Sequence, residues 1–161
     1  MALSGYTVEF TSPVSATKLF NAGIIDGHNL GPKLMPQVIE SIVILEGDGG
    51  VGTIKQANFT DVVPFKYTKE RVDFPRQREN LEYKYTLIEG GQLGKKVEWV
   101  RTHITVESAS DGGCVYKVSS EYKTLPGVNS PDEEIQFVKN RMAGMFKAVE
   151  SYVLANPDAY A

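Results

Sequence analysis

Cysteine and histidine are scarce, since 161 residues hold one Cys, Cys114, and two His, His28 and His103. A lone cysteine makes no internal disulfide, and two distant histidines give none of the usual zinc spacings. Neither a metal nor a cofactor is expected. A basic surplus is also missing: 17 Lys and Arg against 20 Asp and Glu leave a net charge of −3. Without that surplus nothing in bulk attracts a phosphate backbone or an anionic membrane, which argues against duplex nucleic acid and membranes as partners. Long apolar runs are absent too. The first residues, MALSGYTVEFTS, have no basic segment and no apolar stretch of about seven, so they do not read as a secretory signal. Nowhere do about eighteen apolar residues follow one another, so no helix is predicted to span a bilayer. A cytoplasmic location with Cys114 reduced is the expectation. On that basis the sequon Asn58-Phe59-Thr60 is a chance match.

What is present is the material of one globular domain. Hydrophobic residues make up 42% and charged ones 23%, with no internal repeat and no linker-like stretch. Folding a chain of this length buries roughly 70% of its extended surface, enough for a core without cross-links. A single domain over residues 1–161, and a monomer, are expected.

Period-two alternation marks Tyr6–Phe10 as a strand, after which Ser12-Pro13 and Ser15 open a helical stretch over Ala16–Ala22. A second short helix is predicted over Gly27–Leu34 and ends at Met35-Pro36, because the residue before proline disfavours helical angles. From Ile39 the chain turns β-rich. Strands are predicted over Ile39–Leu45, Thr53–Phe59, Phe65–Asp73, Leu81–Ile88, Val97–Val106 and Cys114–Tyr122, all rich in β-branched or aromatic residues. Gly47–Gly52, Pro64, Pro75, Gly90-Gly91 and Asp111-Gly112-Gly113 supply the turns of an antiparallel meander.

The last segment changes period. Ile135, Val138, Met142, Met145, Phe146, Val149, Tyr152 and Val153 recur at three and four, which predicts a long amphipathic helix. Ser130 as cap, Pro131 at the first position and Glu133 closing a capping box specify its start, and Asn156-Pro157 its end. The predicted class is α+β: a curved seven-stranded antiparallel sheet wrapped around a long C-terminal helix, with two short helices. Strand alternation puts Phe65 and Tyr67, Tyr83, Tyr85 and Leu87, Val100, Thr102 and Ile104, and Tyr116, Val118 and Tyr122 on the face toward the helix. A dry core would use Phe and Leu there, because each buried tyrosine hydroxyl needs a partner. Either the tyrosines satisfy one another and buried water, or they line a large internal cavity.

Few motifs carry chemistry. Gly47, Gly49, Gly50 and Gly52 lie in a dinucleotide-like glycine pattern, but the residues that follow read as a strand, so no helix N-terminus meets a pyrophosphate. A tight hairpin loop is the plainer reading. His28, His103 and Cys114 form no nucleophile couple by spacing, and Trp99 falls on the outward face. Arg141 borders the apolar face of the long helix, where it either anchors a phenolate or carboxylate of a ligand or pairs with an acid such as Glu134.

Several segments together, Leu45–Lys55, Lys66-Tyr67 with Arg71-Val72-Asp73, Tyr83-Lys84-Tyr85 leading to Ile88–Gly91, Lys147–Tyr152 and Asn156–Tyr160, resemble the plant class-ten pathogenesis-related proteins. This is the family of the major birch pollen allergen. The resemblance covers essentially the whole chain and implies the sheet-and-helix grip fold with a large cavity. It further implies binding of small hydrophobic or amphipathic ligands such as flavonoids, cytokinins, brassinosteroids or fatty acids. By positional match the cavity would include Ile39, Phe59, Phe65, Tyr67, Tyr83, Tyr85, Val100, Thr102, Tyr116, Val138, Met142 and Met145, with His28 and Gly31 near the entrance. The missing side chain at Gly31 would widen that entrance.

A ribonuclease activity proposed for the family would fall on Lys55, Glu98, Glu150 and Tyr152, which would have to act as acid, base and phosphorane stabiliser. The branch that condenses an amine with an aldehyde uses a tyrosine, a glutamate, a lysine and an aspartate. Here only the tyrosine matches, as Tyr67, and Lys69, Tyr83 and Thr102 stand at the other positions. The gate and latch sequences of the abscisic acid receptors are absent. The resemblance therefore implies a defence-related binding protein that stores or carries phenolics or hormones, with an enzyme on the same scaffold as the alternative.

Overall fold

The structure, a computed structural model, describes residues 4–74, 81–128 and 132–160. The elements follow in the order β1 (Ser4–Ser12), α1 (Ala16–Phe20), α2 (Gly27–Leu34), β2 (Ile39–Glu46), β3 (Ile54–Phe59), β4 (Tyr67–Phe74), β5 (Leu81–Gly90), β6 (Val97–Ser108), β7 (Cys114–Thr124) and α3 (Asp132–Ala155). Ser15 caps α1, its hydroxyl accepting from the Lys18 N–H at 3.4 Å. The helical path continues beyond Phe20 as one wide π turn over Asn21–Ile25. The cap residues Ser130 and Pro131, the Glu133 side chain and the Pro75 turn lie outside the described residues.

The seven strands form one antiparallel sheet in the order β1-β7-β6-β5-β4-β3-β2, so β2 to β7 are a meander and β1 closes against β7. Helix α3 has 24 residues, about 36 Å at 1.5 Å per residue, and its two halves have different surroundings. Phe146, Val149 and Val153 join Leu19, Phe20, Ala22, Leu30, Val106 and Val118 in the buried core. Phe146 stacks on Phe10 of β1 with ring centroids 4.7 Å apart. Residues from Phe137 to Met145 instead face a hollow between the helix and the sheet. Cys114 is buried, and burial pushes its thiol up to about 11, aided by Glu150.

Candidate functional site

The hollow has two lobes. One, of about 340 Å³, is lined by Met35, Val38 and Ile39, by Phe59, Val63 and Phe65, and by Phe137, Val138, Arg141 and Met142 of α3. Phe59 and Phe65 meet edge to face at 5.6 Å in its wall. The other, of about 270 Å³, is reached by His28, Leu30 and Gly31 of α2, Ile42 of β2, Lys55 and Ala57 of β3, Glu70 of β4 and Tyr83 of β5. Gly23, Tyr85, Ile104, Tyr116, Met145 and Val149 are common to both, so the lobes adjoin along one wall.

Polarity separates them. In the first lobe the only charged side chain is Arg141. Its guanidinium lies 4.3 Å from the Phe137 ring centroid, and Nη2 donates to the Val62 carbonyl at a long 3.4 Å. Its Nε is buried with no hydrogen-bond partner among the described residues, and burial lowers its pKa. In the second lobe Lys55 and Glu70 sit directly opposite one another across β3 and β4. Burial lifts the Glu70 carboxyl to about 7, against the pull of Lys55, and burial lowers Lys55 more than Glu70 raises it. Lys55 Nζ stands 5.4 Å from the Tyr83 ring centroid. Tyr83 and Tyr116 are raised by burial, and Tyr85 by burial and then by Glu70, with hydrogen bonding to Thr102 partly offsetting both. All three remain neutral phenols. His28 Nδ1 is buried without a partner among the described residues.

The sequence-derived positions divide accordingly. Ile39, Phe59, Phe65, Tyr85, Tyr116, Val138, Arg141, Met142 and Met145 line the first lobe, and His28 and Tyr83 the second. Tyr67 does not face the hollow. The chain bends over residues 63–66 before β4 starts, so Phe65 does not set the strand's phase. Within β4 it is Glu70 and the buried Val72 that point inward, which turns Tyr67 outward, where its hydroxyl donates to Glu89 Oε2 at 2.7 Å. Val100 and Thr102 share the inner face with Ile104 but lie beyond the cavity wall, and the Thr102 hydroxyl pairs with that of Ser120 at 2.9 Å. Gly31 lines the second lobe, where a Cβ would press on Ile42 Cδ1 at 3.0 Å. Its bareness makes room in that lobe.

The glycine loop touches neither lobe. Gly49 N–H donates to Thr53 Oγ1 and Gly50 N–H to Asp48 Oδ1, both at 2.9 Å, and Gly52 N–H donates to the Val72 carbonyl at 2.8 Å. With these donors committed internally, no cradle for a phosphate is left. Gly47 is needed as glycine: its φ is +91°, and a Cβ would stand 2.8 Å from Thr53 Cα.

Lys55, Glu98, Glu150 and Tyr152 are not brought together. Lys55 faces inward, Glu98 pairs with Lys123 at 3.0 Å on the outer side of the sheet, Glu150 pairs with Lys147 at 3.6 Å, and the Tyr152 hydroxyl accepts from Lys33 at 3.2 Å. Trp99 lies under Arg101, its ring centroid 4.6 Å from the guanidinium carbon. His103 pairs with Glu82 at 2.5 Å. Sequence reasoning missed Glu70, which reads as an ordinary surface charge. The signal lay in its phase, because Glu70 shares alternation with Val72, the buried apolar residue of that strand.

The matching of known proteins agrees with this architecture. The Pathogenesis-related protein Bet v 1 family matches residues 1–156. The chain belongs to that family. Within the Bet v 1 family, Major allergen Pru ar 1 of Prunus armeniaca is 44% identical over 160 residues, 99% of each chain. The crystal structure of Ara h 8.0201 superposes with a TM-score of 0.84 at 37% identity, covering 96% of this chain and 99% of that one. Norcoclaurine synthase from Thalictrum flavum, in complex with dopamine and hydroxybenzaldehyde, superposes with a TM-score of 0.74 at 28% identity, covering 96% of this chain and 88% of that one. Enzymes as well as allergens thus occupy the Bet v 1 fold. Among the described residues no helix is long and apolar enough to cross a membrane.

Proposed function

We propose that the chain is a single-domain, cytosolic, monomeric defence protein that binds amphipathic small molecules in its hollow and stores or carries them. Flavonoids, cytokinins and other phenolics or hormones are the classes meant. The observation that carries this reading is an apolar lobe of about 340 Å³ whose wall holds an arginine with its Nε buried and without a hydrogen-bond partner among the described residues. Burial of a ligand's apolar body there contributes at roughly 25 cal/mol per Å². Arg141 Nε and the tyrosine hydroxyls orient the polar ends, and selectivity follows from which of them are left unpaired. Met35, Met142 and Met145 let the wall repack around different shapes.

The test is a titration with 8-anilinonaphthalene-1-sulfonate followed by displacement with a panel of flavonoids, cytokinins, steroids and fatty acids. Saturable dye binding reversed by one chemical class supports the reading. Absence of saturable binding overturns it.

A catalytic alternative is favoured by one observation, the half-buried Lys55–Glu70 pair of the second lobe. Ribonuclease chemistry gains no such support, because Glu98 and Lys55 lie on opposite faces of the sheet. Norcoclaurine-type condensation lacks three of its four side chains here, and Tyr67 points outward.

A further inference from the structure

Lys55 is a primary amine inside a cavity. It faces Glu70 directly across the ladder, yet among the described residues neither makes a hydrogen bond, and the two form no ion pair within 4.0 Å. The ammonium also stands 5.4 Å from the centroid of the Tyr83 ring. A half-buried cation and a half-buried acid that do not neutralise one another by contact leave room between them for a third group. Because the second lobe adjoins the first along Tyr85, Ile104 and Tyr116, a ligand whose apolar body fills the first presents its end to Lys55.

We propose that Lys55 is a covalent docking site for carbonyl compounds, forming a reversible Schiff base with an aldehyde whose apolar body fills the larger lobe, while Glu70 carries the proton. This rests on the reading that the hollow takes ligands. Relayed by one water in the gap, the ammonium proton passes to the Glu70 carboxylate, and the free Nζ lone pair attacks the carbonyl carbon. Nitrogen loses a proton as the carbonyl oxygen gains one, which gives the carbinolamine. Glu70 then returns its proton to the hydroxyl, the C–O bond breaks and water leaves. A protonated imine on Lys55 remains, with Glu70 as its carboxylate counterion. No oxidant or reductant is consumed.

The surroundings suit both halves of that transfer. Burial lowers Lys55 and lifts Glu70 to about 7, bringing donor and acceptor toward a common range. The other titratable groups around the lobe are Tyr83 and Tyr85 from β5, Tyr116 from β7 and His28 from α2. The three phenols are raised, so they stay neutral. Helix α3, β2 and β6 contribute Met145, Val149, Ile42 and Ile104, which hold no proton.

The experiment incubates the full chain with limiting 3-phenylpropanal and sodium cyanoborohydride, which traps imines as stable amines, and maps the adduct by peptide mass spectrometry. Labelling of Lys55 faster than any other lysine is expected, as a lowered pKa leaves more free amine. 3-Phenylpropan-1-ol, which has no carbonyl, should slow it by competition. Lys55→Arg should lose the adduct, and Glu70→Gln should label about tenfold or more slowly and lose the inflection near pH 7. Label spread over other lysines with Lys55 unmodified overturns the proposal. If the dye still binds saturably in that case, the ligand-binding reading survives; if not, both fall. The adduct map of the unaltered chain decides between these outcomes whether or not the variants fold.

Discussion

The two lobes share a wall and little else. One is a greasy slot with a single cation at its margin, Arg141. The other holds an amine, a carboxyl and three phenols within a smaller volume. The difference comes from which elements supply the wall. Helix α3 and the bend before β4 bring aliphatic and aromatic side chains to the first lobe, whereas the paired strands β3 and β4 turn Lys55 and Glu70 into the second. A cavity built this way keeps its apolar wall and its titratable side chains at separate ends.

The contrast breaks most visibly in stability. Phe146 belongs to the apolar side, stacked on Phe10 and buried, so Phe146→Ala should cost about 3–5 kcal/mol in denaturant unfolding. Lys55→Met, on the polar side, should cost less than that and should push the Glu70 carboxyl further up, since it removes the cation that pulls Glu70 down.

Next in size is a pH effect confined to the second lobe. Burial lifts Glu70 from 4.5 to about 7, so the folded chain keeps a proton that the unfolded chain releases. Stability from that proton is fully present below pH 4.5 and is lost as pH rises to about 7. Unfolding free energy across this window should fall by up to roughly 3 kcal/mol on this account. Glu70→Gln, measured by the same melts, should abolish that component.

A smaller effect sharpens the first lobe. Arg141→Met should weaken a carboxylate-bearing ligand about tenfold in dye displacement while leaving its neutral amide analogue unchanged. In binding, the smallest effect belongs to neither lobe. Gly47→Ala, at a φ of +91° and against Thr53, should cost about 1–3 kcal/mol in thermal melts and leave dye binding as it was.

Much of the fold was legible because its signals are local. Period-three-and-four apolar spacing marks α3, and Gly47–Gly52 and Gly90-Gly91 mark hairpins in which Gly47, Gly49, Gly52, Gly90 and Gly91 adopt positive φ. On β5 the phase was legible as well, since Leu81, Tyr83 and Tyr85 alternate cleanly with Glu82 and Lys84. On β4 it was not. There Phe65 belongs to a bend, and counting onward from it through Tyr67 inverts the strand. That inversion hides Glu70, and with it the partner of Lys55, which the family resemblance brings in only as part of a ribonuclease reading. Polar residues facing inward defeat hydrophobic patterning by their nature, so the chemically interesting lobe was the less readable one.

The sheet order runs from β1 at one end to β2 at the other, and those two strands are not paired with each other. Between them α2 packs on β2 and α3 on β1. The shell is therefore a purse rather than a barrel. Its seam is sewn with apolar contacts, which slide without regard to direction, while hydrogen-bonded ladders fix the rest of its circumference. Widening the shell at that seam would break no ladder hydrogen bond, so its fastening is softer than its fabric.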